Sequence, residues 1–316
     1  MVGELPAQVG DHLFWVPGEN GARFPYCHSY LFEDGNRIVV FDPKCGESQL
    51  NKALAGIGHE IGDITEIICT HFHLDHSTNN MPLKEKTGAG IWVHELDAPA
   101  LQSVERFVER YGIEDAGTRI KWQDTLETLG VRPQDIDHVI REGDIVPGGF
   151  QTIHTPGHSP GHCCFYKEGV LIAGDLDCTT PWVGNATSNV NDFLASIERL
   201  QSMEISSLLP GHGVPIFENI PAALEAYRQK ITRLEMHLLE MLSSETLTVD
   251  EIVQRVDRMK RERNTNNTGY NIPSRSPIAA HLIYISTRNY LLHLESLHQV
   301  KIVLKSGKEA WKSSQG

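Results

Sequence analysis

The stretch Thr70-His71-Phe72-His73-Leu74-Asp75-His76-Ser77-Thr78-Asn79-Asn80 sets four side chains of metal-ligand type, His71, His73, Asp75 and His76, within six residues. The apolar run Ile64-Thr65-Glu66-Ile67-Ile68-Cys69 before it reads as a buried strand, and Met81-Pro82-Leu83-Lys84-Glu85-Lys86 after it reads as a helix, with turn-forming residues between. A cluster placed where a strand ends and a helix begins can converge on a cleft. Histidines two apart on extended backbone point to one side. Neutral imidazole with carboxylate is a donor set that suits borderline divalent metals such as zinc. A histidine-rich surface turn explains one such residue, not four directly behind a buried strand.

Four further stretches stand in order around this one: Arg37-Ile38-Val39-Val40-Phe41-Asp42-Pro43, Thr155-Pro156-Gly157-His158-Ser159-Pro160-Gly161-His162, Ala173-Gly174-Asp175 and Leu209-Pro210-Gly211-His212-Gly213. With His71-Phe72-His73-Leu74-Asp75-His76 they resemble the HxHxDH motif, the TPGHTPGH turn, the bridging-aspartate turn, the PGHG motif and the early buried strand of the metallo-β-lactamase superfamily. The resemblance covers roughly the first two thirds of the chain.

The chain has 316 residues, 40% of them hydrophobic, which suits a globular protein with a sizeable core. Its net charge of −13 does not favour a generic polyanion partner. The N-terminus has neither a basic start nor an apolar core, so no signal peptide is expected, and no uncharged run is long enough to span a bilayer. The six cysteines, Cys27, Cys45, Cys69, Cys163, Cys164 and Cys178, form no CxxC pair. Reduced thiols in a cytoplasmic protein fit that pattern. Cys69, Cys163 and Cys164 lie in strand-like runs and read as core filler.

Strands are expected over 12–16, 29–33 and 37–41, with Asp34-Gly35-Asn36 as a hairpin turn. A helix is expected over 49–57 and a strand over 90–94, whose His94 reads as a strand-end residue near the surface. Helical patterns cover 98–111 and 117–129, and strands 145–146, 150–155, 163–166 and 170–173 follow. A helix over 192–203 and a strand over 205–209 complete the first region. Beyond it, helices are expected over 221–242, from the capping box Thr248-Val249-Asp250-Glu251 to Met259, and over 277–298. The polar stretch 261–276 reads as a loop, and Lys305-Ser306-Gly307-Lys308 as the turn of a last hairpin.

The resemblance implies an α+β fold, an αββα sandwich with the site along one edge. It implies a catalytic domain over 1–218, with a helical insertion at about 97–138, and a mostly helical, winged-helix-like region over 219–316. It also assigns roles: His71, His73 and His158 to one metal, Asp75, His76 and His212 to a second, and Asp175 to both. Asp42 is either part of the layer behind these ligands or a strand-ending cap. His162 reads as a hydrogen-bonding residue of the turn. Cys178 either faces the cleft or packs, Trp182 is a candidate substrate wall, and Phe107, Tyr111 and Trp122 form a pocket wall or the core of the insertion.

A hydrolase follows from these roles. Two divalent ions, zinc first and iron or manganese as alternatives, would hold a hydroxide for attack on a thioester, lactone or other ester carbonyl of a small molecule. Asp75 would orient the hydroxide and move a proton toward the leaving group. Two departures keep named activities from transferring: Leu176, Asp177 and Cys178 stand where lactonases carry a tyrosine, and the tail offers no counterpart of the glutathione-binding residues of glyoxalase II. The alternatives are a phosphodiesterase or ribonuclease, for which the tail would hold nucleic acid, a mononuclear-iron persulfide-type dioxygenase, and a non-catalytic regulator. A homodimer is the commonest assembly for such a chain.

Overall fold

Side chains alternate along the strands, and that alternation sorts the molecule into layers. The computed structural model describes residues 6–113, 116–262 and 277–314. Seven strands form one sheet in the order β1 (Ala7–Gly10), β2 (Leu13–Val16), β3 (Ser29–Asp34), β4 (Arg37–Phe41), β5 (Ile64–Ile68), β6 (Gly90–His94) and β7 (His138–Ile140). Five form the second: β8 (Ile145–Val146), β9 (Phe150–His154), β10 (Cys163–Lys167), β11 (Val170–Gly174) and β12 (Ser207–Pro210), with β12 at the edge beside β11. Tyr30, Phe32, Val39, Phe41 and Ile68 meet Phe150, Phe165, Ile172 and Leu209 between the two sheets. The next residues along the strands, Leu31, Val40 and Ile67, face an outer core made with Leu50, Leu54, Leu83 and Phe107 from helices. Cys164, Leu171 and Leu208 face the opposite outer core. A strand buried on both faces has to be apolar throughout, which is why Ile38-Val39-Val40-Phe41 carries no polar residue. Each such side chain contributes about 1.5–3 kcal/mol on burial. A one-residue slip would exchange the two faces of a strand, so the register is strongly specified. The result is the expected αββα sandwich.

The site owes its place to two parallel pairs. β4 runs parallel to β5, and β11 parallel to β12. Parallel neighbours end at the same edge, so Asp42 and the Thr70–His76 segment leave the first sheet side by side, and Asp175 and His212 leave the second in the same way.

The C-terminal stretch forms helices at Ile220–Leu242, Val249–Glu262 and Pro277–Ser296, then a hairpin of β13 (Val300–Lys305) and β14 (Lys308–Ser313). Thr248 and Glu251 make the capping box: Thr248 N–H donates to Glu251 Oε2 at 2.8 Å, and Glu251 N–H to Thr248 Oγ1 at 3.3 Å. Leu224, Tyr227, Leu238, Leu291 and Trp311 share one apolar core with Cys164, Leu171 and Leu208 of the second sheet. Among the described residues no helix is long and apolar enough to cross a membrane.

Several sequence expectations need correction. The turn expected after the histidine cluster begins as a helical turn, Leu74–Ser77, because Ser77 N–H returns to His73 O and Thr78 Oγ1 to Leu74 O. The single helix expected over 98–111 is two, Ala98–Leu101 and Val104–Glu109, since the Ser103 hydroxyl caps the second by accepting from Arg106 N–H. β7, at the end of the stretch 97–138, was not expected: its three residues pair with β6, His138 opposite Trp92. β1 was not foreseen: its four residues carry too short an alternation to register. His94 is buried, not near the surface, with its ring stacked on His154 at 4.2 Å. The loop expected over 261–276 lies outside the described residues from 263 onward.

Candidate metal centre

Seven donor side chains meet at the common edge. Donor atoms of His71, His73, His158 and Asp175 lie within 4.8 Å of one another, as do those of Asp75, His76 and His212. All but His212 are buried, and His212 is half-buried. In the first group His71 Nε2 stands 2.9 Å from His73 Nδ1 and 3.1 Å from His158 Nε2, and His73 Nδ1 stands 2.8 Å from His158 Nε2. In the second, His76 Nε2 is 3.3 Å from His212 Nε2, which is 3.5 Å from Asp75 Oδ2. Asp175 faces both: its Oδ2 is 3.2 Å from His158 Nε2 and its Oδ1 3.1 Å from His76 Nε2.

Hydrogen bonds at the far side of the rings fix where the lone pairs point. His158 Nδ1 donates to Trp182 O at 3.0 Å and His212 Nδ1 to Ala22 O at 2.7 Å. His76 Nδ1 donates to Asp42 Oδ2 at 2.8 Å. The Thr70 hydroxyl is committed to Asp42 Oδ2 at 2.7 Å, so it accepts from His71 Nδ1 at 2.9 Å. A neutral imidazole carries one N–H. With that hydrogen spent, the Nε2 lone pairs of His71 and His158, and those of His76 and His212 in the neutral form that a metal ligand takes, are aimed into the space between the donor groups. Nitrogen lone pairs about 3 Å apart repel unless a cation lies between them. Nitrogen and carboxylate donors without thiolate fit a divalent ion of the zinc, iron or manganese kind, and anchoring oxygens of this sort orient metal-ligating histidines.

The electrostatics agree. Burial, and then the neighbouring imidazoles, push His71 and His73 well below the usual histidine range. Burial also lowers His158, against the pull of Asp175. Burial opposes charge on His212 as well, yet Asp175 and Asp75 outweigh it and raise this residue to about 9. The carboxylates of this group therefore call for positive charge where the lone pairs converge.

The surrounding residues hold the loops. Asp42 lies behind the ligands and does not cap its own strand: Oδ1 accepts Thr70 N–H at 2.8 Å, just past the end of β5, while Oδ2 fixes His76. His162 accepts Asp175 N–H on Nε2 at 3.0 Å, with Nδ1 at 2.9 Å from Thr155 Oγ1. Two glycines are required by close approach. A Cβ on Gly211 would lie 2.7 Å from His76 Cε1, and one on Gly174, whose φ is +51°, would lie 2.7 Å from His162 Nε2. Trp182 stands beside the first group, its ring 4.9 Å from that of His73. Tyr111 and Trp122 line the recess next to His73 and Asp75, whereas Phe107 packs behind them against Phe72. Cys178 is not brought into the recess. Its side chain packs against the outer core of the second sheet, because the backbone there turns through a positive φ of 59°.

Four contributors have no motif. Asp97 is buried and accepts Phe72 N–H at 3.1 Å, Ser159 Oγ at 2.6 Å and Gly161 N–H at 2.8 Å. It ties the two histidine loops together across the site. Burial pushes its carboxyl above the usual range, and those hydrogen bonds pull it back. Asn185 donates to His158 O at 2.9 Å and stands 3.1 Å from His73 Nε2. From the C-terminal helices, Tyr227 donates to Asp175 O at 3.0 Å, and Asn289 to Val183 O and Asn185 O at 2.8 and 2.9 Å.

A sequence profile described as "Metallo-beta-lactamase superfamily" matches residues 22–212, more than half of the chain. A Bacillus subtilis protein named "Probable metallo-hydrolase YybB" is 24% identical over 239 residues, 72% of this chain and 97% of its own. An atrochrysone carboxyl ACP thioesterase of Pseudocercospora fijiensis is 24% identical over 250 residues, 76% of this chain and 64% of that protein. Across the first curated relatives, the chain spans from just under two thirds (64%) to nearly all (97%) of their length. Among solved structures, a metallo-beta-lactamase family protein of Thermus thermophilus superposes with a TM-score of 0.73 at 21% identity, over 96% of this chain and 98% of that one.

Proposed function

The chain belongs to the metallo-β-lactamase superfamily and is a hydrolase of that fold, and from this premise we propose that it cleaves a thioester or a related ester with two divalent metal ions, zinc first. The observation that carries the reading is the pair of donor groups sharing Asp175, with four imidazole lone pairs aimed into the space between them. His71, His73 and His158 would hold one ion and Asp75, His76 and His212 the other, with Asp175 between them. Such ions, when bound, lower the pKa of a coordinated water from ~15.7 to about 7 and polarise a substrate oxygen. The thioesterase relative supports a thioester ahead of a lactone or an oxygen ester.

The chain's own residues supply the rest. Asp42, Thr70, Trp182 and Ala22 fix the imidazoles before substrate arrives, so no reorganisation is needed during reaction. Asp75 faces the second group on one side and the apolar recess on the other. It takes the proton released when water adds to the carbonyl carbon, and returns it to the sulfur or oxygen as the carbon–leaving-group bond breaks.

The test is hydrolysis by zinc-loaded protein of a panel of acyl-CoA and acyl-glutathione thioesters, lactones, an aryl ester and a phosphodiester, with Asp75→Ala beside it. The expected result is thioester turnover, with kcat reduced in the variant by a factor of ~100 or more and KM little changed. A rise in KM alone would remove the proton role from Asp75. Turnover of the phosphodiester alone would overturn the carbonyl reading.

A further inference from the structure

An apolar recess of about 60 Å³ opens beside the donor groups, with His73 and Asp75 in its wall. Leu126 and Leu129 line it from the Ala116–Thr128 helix and the turn after it, Trp122 from the same helix, and Ile278 and Leu282 from the Pro277–Ser296 helix. Among the described residues no lysine or arginine reaches it, and Asp75 is its one carboxylate. Such a mostly apolar surface offers no cationic side chain to the carboxylates or phosphates of a thioester's carrier group. It favours the opposite side of the scissile bond. We infer that the recess takes the acyl group of the substrate, an aliphatic chain of roughly four to six carbon atoms.

The size follows from the volume. One water-sized position occupies about 10–15 Å³ on this measure, so the recess holds roughly four to six non-hydrogen atoms. The place follows from Asp75, which belongs to the second donor group and to the recess wall alike. An acyl chain seated there leaves its carbonyl carbon at the mouth, next to the donor cluster. Tyr111, Trp122, Leu126 and Leu129 come from the stretch between β6 and β7, and Ile278 and Leu282 from the Pro277–Ser296 helix, so most of the apolar wall that would set chain length lies outside the two sheets. This inference rests on the hydrolase reading for its meaning, but not for its measurement.

Binding is read without turnover. Zinc-loaded protein is titrated with straight-chain carboxylic acids from acetate to decanoate, by calorimetry and by the fluorescence of Trp122 and Trp182 in and beside the wall. Affinity is expected to rise about fourfold per methylene, the transfer free energy of one buried CH₂, to level off near hexanoate, and to quench the tryptophans as it rises. Leu126→Ala enlarges the recess and moves the plateau about two carbons further. Leu129→Trp fills it and removes the rise. The Ala variant guards against misfolding, since a damaged protein does not acquire a longer optimum. Flat affinity along the series, or a plateau that neither variant moves while circular dichroism is unchanged, overturns the inference. Acids that bind as expected to a protein that hydrolyses no ester retire the hydrolase reading and leave the aliphatic site standing. Equal hydrolysis at every chain length with flat binding does the reverse.

Discussion

Asp97 offers the sharpest test of how the centre is held. It is fully buried and touches no donor atom of the two groups, yet its carboxylate accepts from the Phe72 N–H of the first histidine loop and from Ser159 and Gly161 of the second. Asp97→Asn keeps the volume and removes one acceptor oxygen, so an amide N–H₂ is turned against at least one backbone N–H. An unmet buried donor costs about 1–3 kcal/mol, and hydrogen bonds to a charged group sit at the upper end. The geometry therefore gives a loss of about 3 kcal/mol, a sizeable part of the ~5–15 kcal/mol that stabilises a domain. The two loops it joins carry His71, His73 and His158, so zinc affinity should fall by roughly 10–100-fold, the range for lost partners of metal ligands. Urea unfolding of metal-free protein reads the first quantity, and competition with a zinc chelator reads the second. An Asn variant within about 0.5 kcal/mol of the parent, with unchanged zinc affinity, would refute the idea that this carboxylate joins the loops.

The remaining expectations are independent of that one. Burial, and then His154, lower His94 to about 4 in the folded protein, against ~6.5 in an unfolded chain. Between those two pH values the unfolded state binds a proton that the folded state refuses, so stability present above pH ~6.5 is lost as pH falls toward 4. His94→Gln should make that loss shallower, by on the order of 1 kcal/mol at pH 5 once solvent screening is allowed for, and unfolding curves at pH 7 and pH 5 that stay parallel to the parent's would count against it. Stripping metal should abolish turnover and lower stability, by about 2.7 kcal/mol relative to protein held at an ion concentration 100 times Kd; identical melting with and without zinc would contradict a cation between the lone pairs.

The sandwich and the donor set were legible in the sequence for a physical reason. A strand buried on both faces must be uniformly apolar, and ligands carried on adjoining strand ends must follow those runs directly, so both appear as local patterns. Asp97 was not legible, because nothing in Leu96-Asp97-Ala98 marks a carboxylate that finds its partners at Ser159 and Gly161, more than sixty positions away. Asn185 looked like any residue of a polar loop until its amide was seen against His158 O. His94 was misjudged by its place at a strand end, since β7 and the ring of His154 cover it. For Cys178 the sequence left two places open, the cleft and the core, and only the fold decides: it packs on the outer core of the second sheet.

The C-terminal helices change meaning once these contacts are considered together. By sequence they are a separate region with its own capping box and hairpin. In space, Tyr227 grips the backbone of Asp175, the residue that faces both donor groups. Asn289 spans Val183 O and Asn185 O, and the side chain of that same Asn185 reaches His73 and His158. His281 Nε2 lies 2.7 Å from Tyr111 O, and Ile278 and Leu282 stand across the recess from Trp122 and Leu126. A segment that only accompanied the sandwich would have no reason to spend two buried polar side chains on the loops of the donor cluster, since a buried polar group costs stability unless it finds its partner. These two do find their partners, and the partners are the backbone of the centre itself, so the tail is part of what holds the metal-site loops in place.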